Sequence, residues 1–452
     1  MKKPVLRRSQ DLTVGALTPR IILFSLPLIF SNLLQVMFNM ADVAVVGRFA
    51  GPLALGAVGS TTTLVTLFTG LLIGMADGMN VLTATCFGAR DKRALEETVH
   101  SAAVIALVLG CGLLALGGLL ARPILTLLNT KPELMDGAVL YLRIYFLGMP
   151  AAALFNFGNA VLSAVGDTRR PLAYLSLAGV INVVLNVFFV VACHMDVAGV
   201  AWASAISQYV SAALVIRALL RSDDDYALRP SRLRLTPGRC RAILGLGFSA
   251  GLQYSIFSIA NLFIQSGINS FDAVTVAGNA AAVNADSLIG NTIAAFYTAC
   301  GSFIGQNYGA GKKERVWKSF LCCTLLACTV GLTMGAGLLA LGRPFLGLFT
   351  ADSAVVEAGM MRMRIMCLSF GIAPFMDCPI AASRGLGKSF GSTVIVILGS
   401  CVFRIVWIYT VFAWVGTFPS LCMLYPFSWT ITAVAETWYF RRVYRAATVN
   451  MA

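Results

Sequence analysis

A single carboxylic acid interrupts the first long apolar run of the sequence. Asp42 lies in the stretch IILFSLPLIFSNLLQVMFNMADVAVV (21–46), and Asn39 stands three positions before it, on the same face of a helix. An acid in such surroundings can be protonated, bound to a small cation or paired with a cationic ligand, and each state excludes the others. We therefore predict that Asp42 binds H⁺ or Na⁺ in competition with a ligand. The alternative is that Asp42 is a boundary residue at the end of its helix.

Two further acids, Asp286 and Asp377, lie inside apolar runs of the second half of the chain. We predict that they line a cavity that attracts a cationic ligand. The alternative is that either acid pairs with an interior arginine such as Arg404. Hydrogen-bonding and pliable apolar side chains would complete this cavity. These predicted cavity residues are Asn284, Asn261, Met37, Phe155 and Tyr254.

Apolar runs fill almost the whole chain and must position these side chains. Of the 452 residues, 58% are hydrophobic and only 12% are charged, and the mean hydropathy is +0.81. Twelve runs are long enough for a helix to cross roughly 30 Å of hydrocarbon. They span residues 21–46, 53–80, 94–120, 134–162, 172–193, 197–220, 241–269, 275–304, 315–341, 354–382, 390–414 and 418–440. This composition predicts an all-α polytopic membrane protein.

The formal net charge of +14 is distributed as a membrane protein requires. Lysine and arginine concentrate in every second connection between the runs, for example at 90–93, 217–241 and 312–318, and again after the last run at 441–445. Such an excess marks the cytoplasmic side of a membrane. We therefore expect a bacterial plasma-membrane protein with both termini in the cytoplasm and no nucleic-acid partner.

Residues for enzymatic or metal chemistry are sparse in this sequence. The twelve cysteines form no CxxC pair, and the two histidines, His100 and His194, have no cysteine or carboxylate at ligand spacing. The sequence also contains no HExxH motif and no GxSxG motif in a usable context. We expect no enzymatic activity, no cofactor and no metal other than a coupling Na⁺ at Asp42.

The sequence repeats itself after a shift of 221 residues. The shift places GARDKRALEE (88–97) on GAGKKERVWK (309–318) and RPILTLL (122–128) on RPFLGLF (343–349). It also carries the first six apolar runs onto the last six. The chain is therefore predicted to contain two tandem six-helix bundles.

The repeat predicts the domain organisation. We place an N-terminal lobe at 1–220, a cytoplasmic linker rich in charge and proline at 221–240, and a C-terminal lobe at 241–452. Because six is even, the two bundles are expected to be parallel and related by a pseudo-two-fold axis along the membrane normal. A cavity between such lobes would suit transport by alternating access.

Several motifs at matching places resemble the multidrug and toxic compound extrusion (MATE) transporters over nearly the whole chain. They are LPLIFSNLLQVMFNMADVAVVGR in the first run, the loops GARDKR and GQNYGAGKKER, the turns SAVGDTRRP and SRGLGKS, and VINVVLNVFFV in the fifth run. This resemblance implies a secondary antiporter that exchanges H⁺ or Na⁺ for amphipathic, mostly cationic organic compounds. We expect it to act as a monomer in the lipid bilayer.

The resemblance also implies a cation-coupling site in the first lobe. The family's positions for it match Asp42, Asn182, Asn186 and Ser204. Many relatives carry a carboxylate where this chain has Asn186, so the site here contains one acid instead of two. From its own position we add Asn39, and we add Asn156 because the repeat aligns it with Asp377.

Proline and arginine residues inside the runs raise two further points. Pro27 removes a backbone hydrogen bond from the first helix and is predicted to be its hinge, with a static kink as the alternative.

The competing function is a lipid-linked oligosaccharide or cell-wall precursor flippase of the same superfamily, which would need a basic cavity for pyrophosphate. The arginines inside the runs are Arg143, Arg362, Arg364 and Arg404. A channel is a third possibility, although it would need neither tandem lobes nor a lone acid.

Overall fold

The protein is almost entirely helical in its computed structural model, which describes residues 10–128, 130–449 and 451. All regular secondary structure within these ranges is helical. The α-helices are α1 (Leu17–Val45), α2 (Gly51–Gly88), α3 (Lys92–Leu127), α4 (Pro132–Leu147), α5 (Met149–Ala164), α6 (Arg169–Val187), α7 (Asp196–Leu220), α8 (Pro237–Ile268), α9 (Ala273–Gly309), α10 (Lys313–Ala340), α11 (Gly342–Gly347), α12 (Ser353–Ser369), α13 (Ala373–Gly385), α14 (Phe390–Val396), α15 (Phe403–Trp407), α16 (Ala413–Val415) and α17 (Phe418–Ala447). Short π-helical segments lie at Val46–Ala50, Phe188–Ala192, Ile397–Val402 and Ile408–Phe412, and a 3₁₀ turn lies at Pro230–Arg232.

The helices confirm the prediction of an all-α membrane protein. In the described part of the chain, 8 helical segments are long and apolar enough to cross a membrane, and two bent helix pairs raise the number to 10. One segment, Leu17–Gly88, has 72 residues and covers the first two predicted runs. The last predicted run falls on α17. All twelve predicted runs therefore coincide with helices.

Two runs that we expected to be single helices, 134–162 and 354–382, are bent. The axes of α4 and α5 differ by 45°, and those of α12 and α13 differ by 48°. Pro150 and Pro374 occupy the first turns of α5 and α13. Because proline has no backbone N–H and clashes with the preceding turn, it favours a kink or a break of the helix at these positions. The bends fall at nearly equivalent points of the repeat.

The described chain divides into two compact units that do not follow the repeat boundaries. The first unit comprises Phe30–Gly251 with the described residues up to Asp11, and the second comprises Leu12–Ile29 and the chain from Leu252 onward. The first half of α1 thus belongs to the second unit, and the first half of α8 belongs to the first. In α1 the division falls close to Pro27.

The segment predicted as a linker is packed into the first unit. Tyr226 is only 1% exposed, and its hydroxyl accepts a hydrogen bond from Nη2 of Arg170 at 3.1 Å. Burial in this segment raises the pKa of the Tyr226 hydroxyl above its usual range. The backbone N–H of Arg229 donates to Nε2 of His100 at 3.0 Å. These contacts give His100 a structural role.

Close packing joins the first half of α1 to the rest of the second unit. The ring of Phe24 on α1 meets the ring of Phe303 on α9 edge to face, with 5.6 Å between the centroids. The backbone N–H of Leu12 donates to Oε1 of Gln306 at 2.9 Å. Leu12 and Phe303 are both buried. These contacts anchor α1 where it begins.

Close helix contact in the first unit depends on Gly110 of α3. A Cβ atom at Gly110 would lie 2.6 Å from Cα of Pro150 and 2.9 Å from Cβ of Ala153, whereas one at Gly112 would meet nothing within 4 Å. We expect Gly110→Ala to lower the free energy of unfolding by about 1–3 kcal/mol through overpacking. Gly112→Ala is the matched control and should change it by no more than about 1 kcal/mol. Unfolding in mixed micelles measures both, and equal effects would contradict the packing argument.

Candidate functional site

Three helices of the first unit bring the predicted cation-coupling residues together. Asp42 comes from the second half of α1, Asn182 and Asn186 come from α6, and Ser204 comes from α7. The two asparagines are four residues apart, so their side chains lie on one face of α6. Asn182, Asn186 and Ser204 are buried, while Asp42 is half-buried.

Hydrogen bonds close these four residues into a ring, called the Asp42 ring below. Nδ2 of Asn186 donates to Oδ1 of Asp42 and to Oδ1 of Asn182 at 3.2 Å. Nδ2 of Asn182 donates to Oγ of Ser204 at 3.5 Å. Oγ of Ser204 donates in turn to Oδ2 of Asp42 at 3.3 Å. Both carboxylate oxygens are therefore held by side chains of neighbouring helices.

The Asp42 ring offers oxygen atoms to a proton or a small cation. Oδ1 of Asn186 is buried and accepts no hydrogen bond from the residues that the structure describes. A buried acceptor without a donor is costly, which makes it a candidate ligand atom. Together with the carboxylate and the other side-chain oxygens it forms a set of hard oxygen ligands. Such a set can hold a proton or a small hard cation.

Two of the three helices widen immediately after their site residues. The π-helical segment Val46–Ala50 begins four residues after Asp42, and Phe188–Ala192 begins two residues after Asn186. Single π-helical turns inside helices often accompany functional sites because they redirect the neighbouring side chains. No periodicity in the sequence indicates these turns.

Two predicted members of the coupling site stand apart from the Asp42 ring. Asn39 is exposed and is not a partner in the ring's hydrogen bonds. Nδ2 of Asn156 donates to the carbonyl oxygen of Ala152, one turn earlier in α5, at 2.9 Å. Their roles in coupling stay predictions. Pro27, the predicted hinge, lies inside α1 and is buried.

A cavity of about 490 Å³ lies within the second unit. Its wall combines aromatic, apolar, amide and charged side chains. The lining residues are Phe257, Asn261, Ile264, Gln265, Ile268, Asn279, Val283, Asp286, Arg362, Met366, Phe370, Met376, Asp377, Arg404, Tyr425 and Trp429. The cavity is large enough for a drug-sized ligand.

One of the cavity acids is neutralised by an arginine. Nε and Nη2 of Arg362 donate to Oδ2 of Asp286 at 2.9 Å and 2.6 Å. Nη1 of Arg362 donates to Oδ1 of Asn279 at 2.9 Å. Asp286 and Arg362 are both buried. Asp286 thus pairs with an interior arginine, as the alternative interpretation of the sequence proposed, but the partner is Arg362.

The second acid and the second arginine are arranged differently. Asp377 and Arg404 both line the cavity, but no hydrogen bond joins them among the described residues. Nε of Arg404 donates to Oγ of Ser428 at 3.2 Å. The guanidinium carbon of Arg404 lies 4.7 Å from the ring centroid of Tyr425 and 5.4 Å from that of Phe257. Two aromatic faces therefore support this arginine.

The remaining predicted cavity residues have different places. Asn261 lines the cavity. Asn284 donates its amide to backbone carbonyls of its own helix and is not a lining residue. Met37 is 61% exposed, Tyr254 is 36% exposed and Phe155 is buried in the core of the first unit. Met37, Tyr254 and Phe155 do not line this cavity.

The sequence interpretation missed two features of the second unit. It gave Arg362 no contact with the cavity acids, although an arginine inside an apolar run is itself a signal for an interior partner. It also gave Glu436 no functional role. Glu436 is fully buried, and its Oε2 accepts a hydrogen bond from Oγ of Ser392 at 2.9 Å.

Comparison with known proteins agrees with the repeat and with the fold. The MatE family model matches residues 27–188 and 249–410, which together make up more than half of the chain. The two matched segments are equivalent parts of the predicted tandem bundles. They contain Asp42, both asparagines of the Asp42 ring and the cavity arginines.

Curated and solved relatives cover most of the chain. It is 30% identical over 311 residues to the probable multidrug resistance protein YpnP of Bacillus subtilis, covering 68% of this chain and 69% of YpnP. It is 24% identical over 386 residues to the probable multidrug resistance protein NorM of Thermotoga maritima, covering 84% and 83%. A MOP superfamily transporter from Pyrococcus furiosus superposes with a TM-score of 0.90 at 22% identity, covering 97% and 98%. The chain therefore belongs to the MATE family of membrane transporters.

Proposed function

We propose that this transporter is an ion-coupled multidrug exporter. It exchanges H⁺ or Na⁺ entering the cell for amphipathic, mostly cationic organic compounds leaving it, by alternating access. It acts as a monomer in the plasma membrane with both termini in the cytoplasm. The multidrug resistance relatives support the efflux of drugs, and the ion coupling is argued from the site itself.

The Asp42 ring is the observation that supports ion coupling. It contains one carboxylate whose two oxygens accept hydrogen bonds from Asn186 and Ser204. A proton on that carboxylate converts an acceptor into a donor, so at least one of these hydrogen bonds must break or reverse. A bound Na⁺ similarly competes with the donors for the oxygen atoms. Ion binding therefore changes the hydrogen bonds that join Asp42 to α6 and α7.

This rearrangement links the ion to the drug. Loading Asp42 with H⁺ or Na⁺ removes a negative charge that would otherwise attract a cationic compound. Ion entry thus favours release of the drug, and drug binding favours release of the ion. The membrane potential adds about 2.3 kcal/mol per charge for each 100 mV.

Pro27 gives α1 a point at which it can bend. The proline is buried in the first half of the helix, fifteen residues before Asp42. Because it frees a backbone carbonyl from its helical hydrogen bond, bending at this point costs less than elsewhere in α1. We propose that α1 carries the change at Asp42 along its length.

The charges of the second unit favour an exporter over a flippase. Only Arg362 and Arg404 of the four candidate arginines line the cavity, whereas Arg143 and Arg364 are exposed. Two aspartates in the same cavity balance the two arginines. A pyrophosphate carries more negative charge than this wall can compensate.

Proteoliposomes with separately imposed gradients test the proposal. We expect ethidium efflux to be driven by an inward gradient of one ion, either Na⁺ at constant pH or H⁺ in the absence of Na⁺. Vesicles without a gradient should move dye only at the rate of protein-free vesicles. Equal dye movement with and without both gradients would indicate a channel or passive carrier and would contradict ion coupling.

A further inference from the structure

The ring of His100 on α3 holds the connection between α7 and α8 through both of its nitrogen atoms. Nδ1 lies 2.7 Å from the backbone carbonyl oxygen of Glu96, and Nε2 accepts a hydrogen bond from the backbone N–H of Arg229 at 3.0 Å. A carbonyl oxygen can only accept a hydrogen bond, and a backbone N–H can only donate one. Both contacts therefore require a neutral ring that carries its hydrogen on Nδ1.

A proton on Nε2 of His100 would abolish the contact with Arg229. It would turn the acceptor into a second donor, and the two N–H groups would face each other without an acceptor. His100 is only 1% exposed, so its charged form would also be poorly solvated in this position. Protonation of His100 and attachment of Arg229 therefore oppose each other.

The acids nearest to His100 along α3 are engaged by arginines. They lie four and three residues before it, and their partners come from α3, from the connection and from α8. The acids are Glu96 and Glu97, and the partners are Arg93, Arg232, Arg234 and Arg239. In the part of the chain that the structure describes, the ring of His100 forms no ion pair with either acid. A charged ring would thus lie near arginines without a carboxylate of its own.

The helices packed against α3 bring few titratable groups to its first turns. α5 contains no titratable side chain, and α2 contributes Cys86, whose sulfur lies 3.6 Å from Oγ1 of Thr98. α4 meets α3 at the opposite end, where Asp136 pairs with Arg122. Further ion pairs near the start of α3 join Arg90 to Asp11 and Lys92 to Asp225. Of these side-chain types, only histidine ordinarily changes its charge between about pH 5 and 8.

Other contacts of the connection do not titrate in this range. Oγ of Ser101 donates to the backbone carbonyl oxygen of Arg234 at 3.4 Å and accepts from the backbone N–H of Thr236 at 3.1 Å. The nearby arginine ion pairs are largely exposed and contribute little to stability. All of these residues belong to the first unit. The contact of His100 with Arg229 therefore combines burial with a response to protons.

We propose that His100 is a proton-sensitive latch, which holds residues 229–236 on α3 while its ring is neutral and releases them when the ring is protonated. Under the proposed topology this connection faces the cytoplasm, so the latch responds to the pH of the cytoplasm. Release frees a longer part of the chain between α7 and α8. The inference goes beyond the proposed function, because it depends neither on the Asp42 ring nor on the ion that drives export.

Hydrogen–deuterium exchange of the full-length transporter in detergent tests the latch. Protection of residues 229–236 is compared with that of an unstructured peptide of the same sequence at the same pH. We expect this protection to fall at least about fivefold between about pH 7.5 and about pH 5.5, as for the loss of one hydrogen bond. Peptides from α5 should keep their protection, which shows that the rest of the first unit stays folded.

The two histidines of the chain provide matched variants. His100→Gln has an amide oxygen that can accept the N–H of Arg229 but takes up no proton, so protection should be nearly equal at both pH values. His194→Asn changes an exposed histidine and should respond to pH as the wild type does. Asparagine tolerates the left-handed backbone of that residue, whose φ is 52°. Thermal melting of each variant establishes that it is folded.

Equal protection of the wild-type protein at both pH values would overturn the proposal without any variant. The same loss of protection at low pH in folded His100→Gln would do so as well, because another group would then be responsible. Where that variant does not fold, nitrogen NMR of the two labelled histidines decides. A His100 ring that is charged, or that carries its hydrogen on Nε2, at about pH 7.5 contradicts the latch. Because the assay contains no gradient and no drug, failure of ion-driven efflux would contradict the proposed function alone.

Discussion

Asp42→Asn is expected to reduce gradient-driven ethidium efflux to the level of protein-free vesicles. Asparagine has nearly the same shape as aspartate. Its amide oxygen can still accept the hydrogen bond from Asn186, and its amide nitrogen can donate to Oγ of Ser204 in place of the reverse hydrogen bond. Asparagine can neither take up a proton nor provide a negative charge. The chemistry of coupling is thus removed while the Asp42 ring retains its packing. Dye efflux from energised vesicles, normalised to the amount of protein in the membrane, measures the loss.

Asp136→Asn provides a matched control in the same unit. Asp136 is exposed and forms an ion pair with Arg122, and a pair of this kind contributes at most about 1 kcal/mol. We expect this variant to transport at the wild-type rate. Normal ion-driven efflux in Asp42→Asn would refute the role of Asp42, whatever the control shows.

Asp286→Asn is expected to cause the largest loss of stability among single substitutions at the cavity. It leaves the buried guanidinium of Arg362 without its carboxylate partner. Breaking a buried ion pair by removing one partner costs about 3–5 kcal/mol. The free energy of unfolding, obtained by titrating mixed micelles with a denaturing detergent, should fall by this amount.

A double variant distinguishes loss of the pair from loss of a particular side chain. Asp286→Asn combined with Arg362→Gln removes both charges and should recover a large part of the lost stability. Glu357→Gln is the surface control, because Glu357 pairs with Arg343 at 2.5 Å while both side chains remain exposed. It should cost less than about 1 kcal/mol. Additive losses in the double variant would mean that the two charges do not stabilise each other.

Most members of the Asp42 ring could be predicted from the sequence. An acid in an apolar run is conspicuous, and Asn182 and Asn186 are one helical turn apart. The resemblance to the family supplied the association of Asp42 with Asn182, Asn186 and Ser204. Asn39 shares the predicted helix face with Asp42, but it is exposed. The sequence could not show this, because helical periodicity does not specify which part of a helix face is covered by neighbouring helices.

The cavity of the second unit could be predicted less completely from the sequence, for geometric reasons. Asp286 and Asn284 are two residues apart on α9, so their side chains differ by roughly 200° in direction and cannot both face one cavity. Arg362 and Arg404 come from different helices, and no spacing in the sequence connects them. Their shared contact with Tyr425 depends on tertiary packing.

Hydropathy could not predict the bends in the helices or the division of the helices between the two units. Hydropathy located each membrane helix, but it does not register a break such as that at Gly148, where apolar residues continue on both sides. It also does not show which bundle a helix half joins. Pro150 was a visible signal for the bend between α4 and α5. The unit that each helix half joins has no signature in a single sequence.

The exchange of helix halves between the units limits how the protein can be made from pieces. A gene cut between codons 221 and 240 would yield two polypeptides, each lacking a stretch that completes its own compact unit. The amino-terminal product would miss the start of α8, and the carboxy-terminal product would miss the start of α1. Assembly from fragments therefore calls for joint synthesis of both polypeptides, since each must supply a missing segment to the other.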